Sequence, residues 1–111
     1  ISNVAGAIAV AALWDVWARG EQPLLSCTLV TTASAPAFEP WHRRMPVMLT
    51  AEECERWLDN SRLIDAKDRL FRSELKFPLR LQALPRAVGN ARRKEPAVLE
   101  GSGEIIDLAN N

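Results

Sequence analysis

His42 is the one side chain in this 111-residue chain whose ordinary pKa suits proton transfer near neutral pH. It lies among Trp41, Arg43, Arg44, Met45 and Pro46, shortly after a stretch ending in Thr31 and Thr32. Loops carried on rigid elements concentrate binding and catalytic groups, so His42 reads either as a base beside a bound anion or as a surface histidine without a role. Cys27 and Cys54 form no CxxC pair, and with a single histidine they supply no zinc site, so no metal is expected. GxGxxG and GxxxxGK[ST] are both absent, so no nucleotide cofactor is expected either. Serines and aspartates are too scattered to single out a nucleophile with its base and orienting group. Of the four tryptophans, Trp57 reads as core, whereas Trp41 is placed to stack on a base.

Lys plus Arg and Asp plus Glu each number 14, which excludes a uniformly basic nucleic-acid binder. The charges are nevertheless segregated. Residues 80–94 carry Arg80, Arg86, Arg92, Arg93 and Lys94 without an acid, and Arg43 and Arg44 form a second basic pair. Two readings stand: a groove that neutralises several phosphates in a salt-dependent way, or cations that are simply solvated.

Elements must position these groups. Residues 7–14 are continuously apolar and suit a strand buried on both faces, with a short buried helix as the competing reading. A turn at residues 20–23 leads into the β-branched stretch 25–32, which makes an antiparallel hairpin with the first segment. Pro36, Pro40 and Pro46 mark residues 33–46 as an ordered loop, after which residues 46–49 re-enter a sheet. Thr50 and Glu53 form a capping box, and Cys54, Trp57 and Leu58 give the following helix an apolar face. Residues 61–74 form at most a second, partly exposed helix. Residues 76–85 read as extended, Gly89 and Asn90 as a turn, and Ala97, Val98 and Leu99 as a last short strand.

No apolar run is long enough to span a membrane, so no membrane partner is expected. The first apolar run lacks the basic flank of a signal peptide. Two isolated cysteines suit a reducing compartment. The expected class is α+β, mostly antiparallel curved sheet with one short amphipathic helix. Residues 1–100 would be the back part of a larger domain, followed by an acidic tail at 101–111 that frays.

The order of features resembles the C-terminal half of the SRAP family, the SOS response-associated peptidase domain that processes abasic sites in single-stranded DNA. Ala11, Ala12, Leu13 and Trp14 stand where the family has A-G-L-W, residues 27–32 read C-T-L-V-T-T, and residues 42–46 stand where it has H-D-R-M-P. Arg86, Ala87, Val88, Gly89 and Asn90 follow the family pattern S-R-A-V-G-N. The resemblance implies a barrel-forming sheet, no cofactor and a cytoplasmic, nucleoid-associated setting. It assigns proton transfer to His42, the abasic-site pocket to Thr31 and a DNA contact to Arg44. Arg43, Arg86 and Asn90 are further candidates for DNA contact. Arg43 replaces an acid, Ala12 a glycine and Pro85 a serine, changes that bear on the geometry near the pocket.

An abasic site exposes a sugar aldehyde, and a chain-terminal cysteine presents an amine and a thiol on adjacent carbons. Imine formation followed by thiol addition then closes a thiazolidine ring. The family's terminal cysteine, and the glutamate and asparagine that assist it, belong to an N-terminal half absent from this sequence. Cys27 and Cys54 cannot substitute, because their amines are tied up in peptide bonds. The missing half is therefore expected in cis or as another chain, or else the chain is a remnant. Whether the chain is itself an enzyme stays open between abasic-site processing, a peptidase role using the same terminal cysteine, and a non-catalytic interaction fragment.

Overall fold

The computed structural model describes residues 1–96, 100–101 and 103–109. In chain order it forms β1 (Ser2–Asn3), β2 (Ala9–Val10), β3 (Ala12–Trp17), β4 (Leu24–Leu29), β5 (Thr31–Ala33), β6 (Arg44–Pro46), β7 (Met48–Leu49), α1 (Ala51–Leu58), β8 (Leu79–Gln82) and β9 (Ile105–Leu108), with 3₁₀ turns at Arg69–Phe71 and Arg86–Gly89. All pairings are antiparallel: β1-β8-β9, β2-β7, β3-β4 and β5-β6.

Six of these strands are three longer extended segments, each interrupted by one residue. β2 and β3 flank Ala11, β4 and β5 flank Val30, and β6 and β7 flank Val47. Each segment pairs with one neighbour before its interruption and with the other after it. At the crossing the three residues close a cycle of backbone hydrogen bonds, every one 2.9 Å long: Ala11 N–H donates to Val47, Val47 N–H to Val30, and Val30 N–H to Ala11. Three donors and three acceptors that leave their ladders are thereby satisfied at the crossing. Ala11 is fully buried and Val47 nearly so, packed with Leu49 and Leu70. A second cluster of Ala35, Phe38, Met45, Met48, Leu79 and Leu81 lies beneath β8.

The helix follows from its first four residues. Thr50 Oγ1 accepts from Glu53 N–H at 3.2 Å, and Glu53 Oε1 accepts from Thr50 N–H at 3.0 Å, the reciprocal capping box. Glu53 also binds Arg72 Nη1 and Lys76 Nζ, each at 2.9 Å, although both cations come from the irregular stretch after the helix. Burial pushes the Glu53 carboxyl up, but the hydrogen bonds from Lys76, Thr50 and Arg72 outweigh it and lower its pKa to about 2. One carboxylate thus caps the helix and anchors the segment that follows it.

Several expectations are corrected. The stretch 7–14 is extended, and its hairpin with β4 forms in the register Ala12↔Leu29 to Trp17↔Leu24. It is not buried on both faces: Trp14 is 73% exposed, because among the described residues no second layer covers its face of β3. The proline-rich loop is shorter than expected, since pairing runs on through Ala33 and resumes at Arg44. Residues 61–74 form only a 3₁₀ turn, held where Asp68 accepts from Leu70 N–H. Leu58 points outward and Trp57 is half-buried, its indole edge-on to Phe71 and donating to Ala12 O at 3.2 Å. The acidic tail does not fray at residues 105–108, which pair with β8; Ile106 and Leu108 turn inward and Arg80 binds Asp107. The expected strand at Ala97, Val98 and Leu99 lies outside the described residues. Antiparallel strands with one helix match the expected α+β class, but the four small sheets do not close into a barrel among the described residues.

Two stability measurements check this account. Ala11→Leu forces three methylene-sized groups into the buried crossing and is expected to cost about 2–3 kcal/mol in urea unfolding. Glu53→Gln keeps a capping acceptor but removes the charge facing Arg72 and Lys76, with an expected loss of about 2–3 kcal/mol at pH 7. Because the folded pKa is depressed, this stabilisation is complete above about pH 4.5 and fades as pH falls towards 2, so the two proteins converge in acid.

Candidate functional site

The site hangs directly from the crossing of the three segments. Thr31 follows Val30 and Pro46 precedes Val47, so β5 and β6 leave the crossing side by side, with Thr31↔Pro46 and Ala33↔Arg44 as partners. In an antiparallel pair these alternate residues share one face. Arg44 therefore reaches along that face to Thr31. Its Nη2 donates to Thr31 O at 2.8 Å and to Thr31 Oγ1 at 3.0 Å, with Nε at 3.3 Å from the same hydroxyl. Nη1 makes no hydrogen bond to the described residues.

The loop between the strands is closed by short-range bonds. Phe38 N–H and Glu39 N–H donate to Ala35 O, Trp41 N–H donates to Phe38 O, and Ala35 N–H meets Met45 Sδ. Ser34 Oγ donates to His42 O at 2.6 Å, while Ser34 N–H donates to Arg43 O at 3.0 Å. His42 is thus fixed at the base of β6 although it is exposed. Its Nδ1 lies 3.0 Å from Arg44 N and 2.9 Å from Arg44 O. With the proton on Nε2 alone, Nδ1 accepts from the Arg44 N–H; with a proton on Nδ1, in the other neutral tautomer or in imidazolium, Nδ1–H donates to the Arg44 carbonyl. The backbone of one residue therefore serves both protonation states. Nε2 has no partner among the described residues and is the nitrogen free to exchange a proton.

Beside His42 lies an open cavity of about 430 Å³. The loop contributes Phe38, Trp41 and His42, β8 contributes Leu81 and Gln82, and the C-terminal strand region contributes Glu104 and Ile106. The walls are mainly apolar, with His42 and Glu104 as the titratable members. No group of three or more His, Cys, Asp or Glu side chains suited to a metal is present among the described residues.

The structure brings His42, Arg44 and Thr31 into one hydrogen-bonded set. Thr31 does not line the cavity, since both its oxygens are engaged by Arg44. Arg43 is exposed, with only its backbone bonded. Arg86 starts the second 3₁₀ turn, and Asn90 Oδ1 accepts from Arg92 N–H to close the next turn. Neither lines the His42 cavity, and no hydrogen bond links them to Arg43 or Arg44. Sequence reasoning missed Ser34, which secures the loop, and the β8–β9 wall. The alternation of Ile105, Ile106, Asp107 and Leu108 was the available signal for that wall.

Residues 2–91 match the family model described as SOS response associated peptidase (SRAP), and the chain belongs to that family. It is similar to the abasic site processing protein YoqW of Bacillus subtilis (strain 168), 42% identical over 52 residues that cover 46% of this chain and 23% of the relative. The protein of the same name from Bacillus phage SPbeta matches to the same extent. The match therefore spans about a quarter of the length of these curated relatives. No solved structure matches.

The hydrogen bonds of His42 make a spectroscopic prediction. Long-range ¹H–¹⁵N correlation should show Nδ1 hydrogen-bonded to the Arg44 backbone in either tautomer, and Ser34→Ala should weaken that bond by freeing the loop. An Nδ1 free of any hydrogen bond in the parent protein contradicts the geometry.

Proposed function

We propose that this chain carries the proton-transfer and phosphate-contacting part of an SRAP-type abasic-site processing protein acting on single-stranded DNA. The observation that carries the reading is the fixed imidazole at a cavity edge, its Nδ1 held by the backbone of Arg44 and its Nε2 unpartnered among the described residues. The family membership and the name of the Bacillus relatives support it. In this reading His42 exchanges protons with the ring-opening sugar and with the imine or its hydrolysis product. Thr31 acts at the pocket by fixing the Arg44 guanidinium, which holds a phosphate on the 5′ or 3′ side of the lesion. Arg43 adds a second phosphate contact. Arg86 and Asn90 extend the DNA track at a greater remove, with Asn90 acting chiefly through its turn.

The covalent nucleophile comes from elsewhere. Cys27 is exposed and Cys54 half-buried, both free thiols in the middle of the chain. Neither can close a thiazolidine, so a stable adduct requires a terminal cysteine from a complementary N-terminal half, in cis or on another chain. Residues 1–100 belong to the catalytic domain in this reading, and its setting is the bacterial nucleoid. No helix among the described residues is long and apolar enough to cross a membrane. A peptidase role would draw on the same external cysteine, and no feature of the His42 cavity favours a peptide over a sugar.

Fluorescence anisotropy with an abasic single-stranded oligonucleotide tests the reading. Binding should weaken steeply with salt, and Arg44→Ala should cost about tenfold and lower the salt slope by about 1. Salt-independent binding, or equal affinity for the parent and Arg44→Ala proteins, rejects it.

A further inference from the structure

Trp41 and Glu104 both line the cavity beside His42, and neither side chain makes a hydrogen bond, ion pair or ring contact among the described residues. The Trp41 backbone is nevertheless fixed, its N–H donating to Phe38 O at 3.0 Å, while the residue stays 46% exposed. With Phe38, Leu81 and Ile106 it gives the cavity walls suited to the face of a flat ring. At about 430 Å³ the cavity lies within the range of clefts that hold small ring-bearing ligands, which begins near ~300 Å³.

Glu104 reaches this cavity because Gln82 holds the chain on either side of it. Gln82 Nε2 donates to Gly103 O at 3.3 Å, and Gln82 pairs with Ile105 across the β8–β9 ladder. Gly101 approaches the Gln82 amide so closely that a side chain at 101 has no room. The outcome is one carboxylate among mainly apolar walls.

An ionised carboxylate only accepts hydrogen bonds. It repels a phosphate and favours a ring that carries N–H donors. Arg44, the phosphate ligand of the proposed function, does not line this cavity, so backbone and base are received at separate places. Unstacked bases of a single strand are bound by stacking on aromatic side chains and by hydrogen bonds along their Watson–Crick edges. Guanine alone presents two adjacent donors on that edge, N1–H and N2–H, which match the two oxygens of a carboxylate. Adenine and cytosine set an amine beside an acceptor nitrogen, and thymine sets one N–H between two carbonyls. Each of these three turns a lone pair towards the second carboxylate oxygen.

We infer that the cavity is a guanine site, in which Trp41 stacks on the base and Glu104 accepts from N1–H and N2–H. A guanine next to the abasic site is then preferred over the other three bases. The inference rests on the proposed function for its place beside the lesion, whereas the choice of base comes from the cavity itself.

Fluorescence anisotropy with single-stranded oligonucleotides tests it, each carrying a tetrahydrofuran abasic analogue flanked on one side at a time by each of the four bases. Guanine on one of the two sides should bind about tenfold more tightly than the other bases. Glu104→Gln should erase that preference, and Trp41→Ala should weaken binding about tenfold whichever base is present. Equal affinity for the four flanks, preference for another base, or a guanine preference that survives Glu104→Gln overturns the inference. Binding that still depends on Arg44 in those cases leaves the processing reading standing. Were no oligonucleotide to bind, the processing reading would fail, and free nucleosides at millimolar concentration would decide the cavity alone. A shift of the Trp41 indole ¹H–¹⁵N signal with guanosine, and not with adenosine, cytidine or thymidine, upholds the guanine site; equal shifts or none overturn it.

Discussion

Three peptide groups, at Ala11, Val30 and Val47, hold this chain together by satisfying one another. Each belongs to an extended segment that changes partner at that residue, which ordinarily strands a donor and an acceptor inside the protein. The cycle of three 2.9 Å bonds removes that cost and fixes the crossing of all three segments at one point. A small residue is needed where the segments converge, and Ala11 is fully buried there. The positions of Thr31 and Arg44 follow from this crossing, because they lie one residue after Val30 and three before Val47. Their diagonal contact is therefore a property of the frame, independent of the loop between them.

A second constraint operates at long range. Glu53 is both a helix cap and the counter-ion of Arg72 and Lys76, so a weakly structured stretch of charged residues is tied to the start of the helix. That stretch carries Leu70 into the core below Val47 and offers Phe71 O to the Thr32 hydroxyl at 2.8 Å. The β5 strand is thereby braced from the side opposite the His42 loop. A buried ion pair is weak evidence of net stability, since both charges must be desolvated. Here its contribution is positional, because a charged segment without a regular fold is led back to one place.

Local signals were legible in the sequence, and contacts requiring the third dimension were not. The capping box at Thr50 and Glu53, the turn between β3 and β4, and the His42, Arg43, Arg44 run could each be read from a few adjacent residues. The crossing could not, because alanine and valine backbones carry no mark of where a segment changes partner. Burial of β3 was misjudged for a related reason: a continuous apolar run reports what a strand needs, not whether the covering layer is present. The tail was read by its acidic charge, yet Arg80 neutralises Asp107 across the ladder, and the alternation of Ile106 and Leu108 turns the strand inward. As for the candidate site, its chemistry was visible in the residue types, whereas the β8–β9 wall of the cavity comes from 40 to 60 residues further along the chain.

The mismatch between a well-held His42 loop and a bare hairpin follows from where the contacts lie. The loop is closed by bonds among residues 34–46, all within this chain, so its geometry needs nothing else. The hairpin lies on the other side of the crossing, and its inner ladder satisfies only half of each strand's backbone groups. Its apolar face is exposed and its outer edges are unpaired among the described residues. The two ends of one strand pair thus have opposite status: β5 is finished by β6, whereas β4 is finished only by β3. The crossing is the joint between them, and it fixes the His42 loop relative to the hairpin on the far side.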